Sequence, residues 1–161
     1  MSLGINLQHP RRYSIDAESL KRAARIVLAR HLKDEAGELS IVVTDSKTVR
    51  AMNSRYAAVN APTDVLSFPA ERAPHESDEG ARYLGDIVVA FDYAADQAEK
   101  TGAALGEVLC LLVIHGTLHL LGYDHDTPLA RERMWAAQAL ALQSVHIDPA
   151  VVEAYGRIEN E

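Results

Sequence analysis

Three histidines stand close together in the second half of the chain, at positions 115, 119 and 125. His115 and His119 are four residues apart, so in a helix they lie on one face, one turn from each other. Gly122 follows them, and glycine readily adopts the left-handed conformation that ends many helices. The chain can then fold back and bring His125 to the same side. The spacing therefore predicts that three imidazole nitrogens converge on one point.

Three imidazoles with an open fourth position are typical of a catalytic zinc site, whereas structural zinc sites usually fill all four positions and favour thiolates. The single cysteine, Cys110, lies five residues before His115 and so points elsewhere around a helix. We predict one zinc ion per chain, bound by His115, His119 and His125. Because zinc lowers the pKa of a bound water to about 7, the chemistry would be hydrolysis at a carbonyl or phosphoryl centre.

Two other interpretations of the histidines are open. A single histidine in an apolar run such as residues 109–121 is more often a core residue than a ligand, but three buried imidazoles need partners, and a shared cation satisfies all of them. The spacing is also that of metzincin peptidases, which carry a glutamate as general base directly after the first histidine. Here that position is Gly116, so a metallopeptidase is the less favoured alternative.

The elements that must carry these histidines follow from hydrophobic periodicity. Strands are predicted at residues 5–7, 39–44, 64–68 and 84–91, and helices at 16–32, 46–57, 92–101, 105–121, 128–143 and about 149–157. Strands alternate with helices early and helices dominate late. We therefore expect an α+β (mixed α/β) fold, with a small mixed sheet of about four strands and five to six helices packed on it, forming one domain over residues 1–161.

The composition narrows the class of protein. The chain has 161 residues, 48% of them hydrophobic and 24% charged, which is ordinary for a globular domain. It contains no apolar run long enough to span a bilayer and no signal peptide, and one cysteine suits a reducing compartment, so we expect a cytoplasmic protein. The net charge is −7, but basic residues are in excess in the first 60 positions. Any surface for a polyanion should draw on that region, although solvated helix faces explain the same charges.

Two further segments accompany the histidines. Residues 115–125 read HGTLHLLGYDH, residues 62–69 read PTDVLSFP and residues 84–87 read LGDI. In this order and spacing the three segments resemble the motifs of the YbeY family of bacterial endoribonucleases, over about residues 40–140. The resemblance implies a single zinc on the three histidines, a mixed sheet with helices, and a groove leading to the metal.

The same resemblance implies a function and partners. It implies a single-strand-specific, metal-dependent endoribonuclease that matures the three-prime end of small-subunit ribosomal RNA and serves ribosome quality control. Ribosomal RNA and the small subunit would be its partners, with a ribosome-assembly GTPase or a ribosomal protein as further candidates. The alternative is a ribosome-assembly factor whose zinc is mainly structural.

One position departs from the family pattern. The family usually carries an arginine that faces the metal cleft where this chain has Ala57, and an acidic residue where it has Asn60. Arg55 lies two positions away, about 200° around a helix, and is poorly placed to replace it. An arginine would stabilise phosphate charge, so its loss bears on catalytic power more than on binding.

The remaining site predictions concern polar residues near these motifs. Asp124 either orients a histidine, acts as a base through water, or simply shapes the turn. Arg50, Arg55, Thr63 and Ser67 are the candidates for RNA contact, with turn and strand-edge roles as the alternative for the last two.

The remaining aromatic and histidine residues are assigned by default. Trp135 falls on a helical stripe and is predicted to be core, and Tyr123 is expected to pack under the turn. The other histidines show no partner pattern and are predicted at the surface: His9, His31, His75 and His146.

Overall fold

The structure is a computed structural model that describes residues 3–33, 35–58, 63–70 and 82–155. Within these residues the chain forms a four-stranded sheet and six helices. The strands are β1 (Leu3–Gln8), β2 (Gly37–Thr44), β3 (Val65–Pro69) and β4 (Arg82–Ala90). The helices are α1 (Ala17–Leu32), α2 (Ser46–Ala57), α3 (Phe91–Thr101), α4 (Leu105–Leu120), α5 (Pro128–Ser144) and α6 (Val151–Tyr155).

The sheet is mixed, with the strand order β1-β2-β4-β3. The first three strands in this order run parallel, and β3 pairs antiparallel with β4 at the edge of the sheet. Gly85 makes this pairing close, because it has φ +138° and an added Cβ there would lie 2.2 Å from the carbonyl oxygen of Phe68. A glycine is therefore required where β3 meets β4.

Alternate residues of the strands face two different layers. The main core lies between one face of the sheet and the helices α1, α3, α4, α5 and α6. A smaller cluster lies on the opposite face under α2, and its buried members are Val49, Leu66, Val88 and Ala90. The helix α4 runs through the main core, and its residues 108–118 are all buried. Such a helix is apolar on every side, which leaves its polar residues without water.

The predicted α+β fold with a small mixed sheet of about four strands is confirmed. Several boundaries differ from the predicted ones by one or two residues. At one of them the element changes: β4 ends at Ala90, and Phe91, predicted as strand, begins α3, where its ring stacks on Tyr13 with centroids 4.3 Å apart. The single-domain interpretation stays a prediction. Among the described residues no helix is long and apolar enough to cross a membrane.

Two side chains differ from their predicted burial. Trp135 is not a core residue, since 38% of its surface is exposed. The buried stripe of α5 runs through Met134 and Gln138 instead. His31 is not a free surface residue. It is partly buried, and its ring bonds to the Val27 carbonyl and to Tyr123. His9 and His146 are exposed as predicted, and His75 lies outside the described residues.

Candidate metal centre

Three imidazole rings meet at the carboxyl end of α4. His115, His119 and His125 each offer a ring nitrogen, and these three atoms lie within 4.8 Å of one another. The Nε2 atoms of His115 and His119 are 3.2 Å apart. Two nitrogens that share a tetrahedral zinc at 2.0–2.1 Å are roughly 3.3 Å apart, so the first pair already has the separation that one ion needs.

The turn after α4 brings the third histidine back to the helix. Gly122 has φ +101°, and its N–H donates to the carbonyl oxygen of His119 at 3.0 Å. The N–H of Tyr123 donates to the carbonyl oxygen of Leu118, also at 3.0 Å. This pair of bonds is the Schellman arrangement, which ends a helix and reverses the chain. The predicted left-handed glycine at 122 is therefore confirmed.

His115 is held in one orientation by α5. It is fully buried, and its Nδ1 lies 2.9 Å from Oε1 of Gln138. An amide oxygen only accepts, so Nδ1 carries the proton and Nε2 presents a lone pair to the other histidines. Burial lowers the pKa of His115 to about 3, and the neighbouring His119 adds to the effect. The ring is thus neutral and ready to act as a ligand.

The other two histidines also suit a cation. Burial lowers the pKa of His119, and the charge of His125 lowers it further. Nε2 of His125 is buried and has no hydrogen-bond partner among the described residues. A buried nitrogen without a partner is costly, and a metal ion would accept a lone pair from each of the three rings at once. The donor set therefore fits a metal such as zinc.

Gly116 lies where α4 touches the sheet. An added Cβ would lie 2.8 Å from Cγ2 of Ile87 and 3.1 Å from Oγ of Ser67. This is the position of the general-base glutamate in metzincin peptidases. Here it faces the packed sheet, so a glutamate would not fit. Among the described residues the group of converging ligand atoms holds the three histidines and no carboxylate, which further weakens the peptidase alternative.

Asp124 is exposed and shapes the turn. Its Oδ1 accepts a hydrogen bond from the backbone N–H of His125 at 2.8 Å. Its charge also opposes the lowering of the pKa of His119. This placement fits the turn alternative and holds the His125 backbone. A role as base stays a prediction.

Tyr123 ties the same turn to α1. Its hydroxyl lies 2.9 Å from Nε2 of His31, whose Nδ1 lies 2.8 Å from the carbonyl oxygen of Val27. Because a carbonyl only accepts, Nδ1 of His31 donates and Nε2 accepts the Tyr123 hydroxyl. Tyr123 also packs against the main core, as expected for a residue under the turn.

The four predicted RNA contacts lie in different surroundings. Ser67 lies beside the histidine helix, since its hydroxyl donates to the carbonyl oxygen of Gly116 at 3.3 Å. Thr63 is fully buried, with its hydroxyl 3.4 Å from the carbonyl oxygen of Val65, so the turn alternative fits it better than a phosphate contact. Arg50 and Arg55 are exposed on α2. The side chain of Ala57 and all of Asn60 lie outside the described residues.

Arg55 belongs to an aromatic patch at the end of α2. Its Cζ lies 5.4 Å from the ring centroid of Tyr56, which is 61% exposed. Tyr56 in turn meets Phe68 of β3 edge-on, with centroids 5.6 Å apart. The exposed guanidinium is available to an anionic ligand.

Two residues of the site were not predicted from the sequence. Gln138 orients His115, and Trp135 places its indole beside His115 and His125, with centroids 6.0 and 5.8 Å away. A polar residue on the buried stripe of α5 was the signal for Gln138, since a buried amide must find a partner. No sequence signal distinguishes Trp135 from a core residue.

Comparison with known proteins agrees with this geometry. Residues 6–146 match the family model described as Endoribonuclease YbeY. The chain belongs to the YbeY family. A relative from Rhodococcus opacus (strain B4), named Endoribonuclease YbeY, is 38% identical over 151 residues, which are 91% of this chain and 84% of the relative. A relative of the same name from Nocardia farcinica is 38% identical over 146 residues, 88% of this chain and 79% of the relative.

A solved structure supports the fold. The solution structure of TM1509 from Thermotoga maritima aligns with a TM-score of 0.56 and covers 89% of this chain and 91% of that one. The two sequences are 20% identical, so this likeness concerns the fold alone. The support for a metal site in this YbeY family member therefore comes from the geometry of its own histidines.

Proposed function

We propose that this chain is a metal-dependent endoribonuclease that cleaves single-stranded RNA and acts in three-prime-end maturation of small-subunit ribosomal RNA and in ribosome quality control. The observation that carries the proposal is the convergence of three histidine nitrogens within 4.8 Å in a YbeY family member. One of these nitrogens, Nε2 of His125, is buried and has no hydrogen-bond partner in the part of the chain that the structure describes. The relatives named above are endoribonucleases by name. A phosphodiester substrate suits a hydrolytic metal centre.

His115, His119 and His125 would hold the ion, and zinc is the metal we propose because three imidazoles are its usual catalytic ligands. Such an ion would supply Lewis acidity toward a phosphoryl oxygen and bring the pKa of a water close to neutrality. Gln138 keeps Nδ1 of His115 protonated and so turns Nε2 toward the centre. Asp124 holds the backbone of His125 in the turn.

Cations of α2 would bind the RNA backbone. Arg50 and Arg55 are exposed on α2, and we propose that they contact phosphates. Ser67 is partly buried beside Gly116 and would hydrogen-bond a phosphate that reaches the strand edge. Ala57 stands where the family usually has arginine, so less of the phosphate charge is neutralised near the chemistry.

Ribosomal partners follow from the proposed reaction. The substrate would be ribosomal RNA within or near the small subunit, in the cytoplasm, and an assembly GTPase or a ribosomal protein would deliver the enzyme there. The excess of basic residues in the first 60 positions supports contact with RNA despite the net charge of −7.

The test combines metal analysis with cleavage of a ribosomal RNA precursor. We expect about one zinc per chain and cleavage that a chelator abolishes and added zinc restores. His119→Ala should lose both zinc and cleavage, because two imidazoles bind zinc far more weakly than three. His9→Ala is the matched control, since His9 is exposed and outside the cluster, and it should keep both. Full cleavage by His119→Ala without metal would refute the proposal.

The same experiment separates the enzyme from an assembly factor. A mainly structural zinc predicts binding to small subunits with no cleavage in zinc-replete buffer, and partial unfolding of His119→Ala. Chelator-sensitive cleavage by a folded protein, with His119→Ala folded but inactive, favours the enzyme. Circular dichroism of both variants distinguishes the cases.

A further inference from the structure

Trp135 is the single tryptophan of the chain, and it borders the histidine cluster. Its ring centroid lies 6.0 Å from that of His115 and 5.8 Å from that of His125, with interplanar angles of 71° and 70°. The indole thus meets both imidazoles edge to face and forms one side of the centre. Gln138, on the same helix, orients His115, so α5 contributes both a positioning amide and this wall.

The indole is also open to solvent, with 38% of its surface exposed. Two leucines of α5 are exposed as well, Leu129 by 57% and Leu140 by 48%, so exposure alone does not indicate a binding role on this helix. What distinguishes Trp135 is its contact with two of the three histidines. A ligand bound to the histidines would therefore lie beside this partly exposed ring.

We propose that Trp135 stacks on an unpaired base of the RNA whose phosphate is bound at the histidine cluster. This inference rests on the proposed function and adds the group that selects single strands. Every base has a flat face that stacks on an aromatic side chain regardless of sequence. A base within a duplex has both faces covered by its neighbours, so only an unstacked base can meet the indole.

Helix α5 also carries a cation next to Trp135. Arg131 is exposed and lies four residues before Trp135, so it occupies the same face of α5 one turn earlier. A guanidinium there can bind the phosphate next to the stacked base. Surfaces that bind single strands combine aromatic side chains, on which bases stack, with basic residues that contact the backbone.

The first test uses the emission of the sole tryptophan in the zinc-loaded protein. We expect a single-stranded RNA oligonucleotide to quench the emission on mixing, before turnover, and the same oligonucleotide annealed to its complement to quench it much less. Equal quenching by the single strand and the duplex would overturn the proposal. Quenching by an unstructured acidic peptide as strong as that by RNA would also overturn it.

The second test is the kinetics of Trp135→Leu, which keeps an apolar side chain and removes the aromatic face. We expect KM for single-stranded RNA to rise about tenfold with little change in kcat, and the zinc content to stay the same. Trp135→Phe should recover most of the loss. Leu140→Ala is the matched control on the same helix, about 140° around from Trp135, and should change nothing.

These outcomes separate the inference from the proposed function. Cleavage by the wild type, together with an unchanged KM in Trp135→Leu, would overturn the stacking inference and leave the endoribonuclease proposal standing. Strand-specific quenching without any cleavage would support stacking and overturn the endoribonuclease. Loss of zinc from Trp135→Leu would overturn stacking by assigning the indole to the support of the metal ligands.

Discussion

Both halves of α4 hold buried residues, but only the second carries a candidate site. In the first half Cys110 is 5% exposed, and its Sγ lies 3.8 Å from the carbonyl oxygen of Ser19. In the second half His115 has the Gln138 amide at one ring nitrogen and His119 at the other. Both halves hold a residue type that binds metals. The difference is that His115 belongs to a group of converging metal-ligand atoms, whereas Cys110 belongs to none among the described residues.

This difference shows what makes a buried ligand-type side chain functional. Burial raises the pKa of the Cys110 thiol to about 11, which keeps it protonated and unreactive. Burial lowers the pKa of His115 to about 3, which keeps it neutral and able to bind a cation. The same desolvation therefore disables one ligand and prepares the other.

The largest expected effect concerns Gln138, whose amide orients His115 in the second half of α4. Gln138→Leu removes the acceptor for Nδ1 of His115, so the ring loses its fixed tautomer and orientation. We expect zinc affinity to fall by about 10- to 100-fold, measured by competition with a chromophoric chelator. Gln138→Glu keeps an acceptor and should keep the affinity. An unchanged affinity in Gln138→Leu would mean that the protein does not use this bond to orient His115.

A pair of glycines on α4 tests the packing of its two halves. Gly116→Ala places a Cβ 2.8 Å from Cγ2 of Ile87, so we expect the free energy of unfolding to fall by about 1–3 kcal/mol. Gly106→Ala, near the start of the same helix, meets nothing within 4 Å and should raise it by roughly 0.5–1 kcal/mol. Urea denaturation measures both. Equal effects at the two positions would contradict the close approach of the second half to the sheet.

Much of the histidine centre could be predicted from the sequence because its determinants are local. The spacing of His115 and His119 is fixed by helical geometry, and the reversal at Gly122 by the conformational freedom of glycine. Periodicity likewise predicted the four strands and the six helices that the described residues form. These features depend on residues within a few positions of each other.

The surroundings of the centre could not be predicted because they depend on how distant elements pack. Gln138 and Trp135 reach the histidines only because α5 lies against α4 at one rotation, which periodicity does not fix. His31 meets Tyr123 from 92 positions away. The burial of Thr63 could not be predicted, because it depends on which distant elements pack around this residue.

A smaller effect is expected at Tyr123, in the turn that follows α4. Tyr123→Phe removes the hydroxyl that bonds to Nε2 of His31 and leaves that nitrogen without its donor. We expect the free energy of unfolding to fall by about 1 kcal/mol and zinc affinity to fall by less than tenfold. Thermal unfolding and the chelator competition measure the two changes. His31→Leu should give a similar loss of stability, and a double variant should lose little more, because both changes break the same bond.

The smallest effect on zinc is expected in the first half of α4. Cys110→Ala should keep full zinc affinity and cleavage, since the thiol has no part in the cluster. Its pKa rises from an ordinary 9.0 to about 11 on folding, so the unfolded chain binds fewer protons than the folded one between these values. The stability that the buried thiol contributes is therefore complete below about pH 9 and is lost as the pH rises toward 11.

We expect the wild type to lose stability over that range more steeply than Cys110→Ala, as urea denaturation at pH 8, 9.5 and 11 would show. Alkylation gives a second measure: at pH 8 iodoacetamide should label native Cys110 far more slowly than the urea-unfolded chain. Rapid labelling of the native protein, with zinc bound, would mean that the first half of α4 opens independently of the second, and the two halves would then differ in stability as well as in their polar partners.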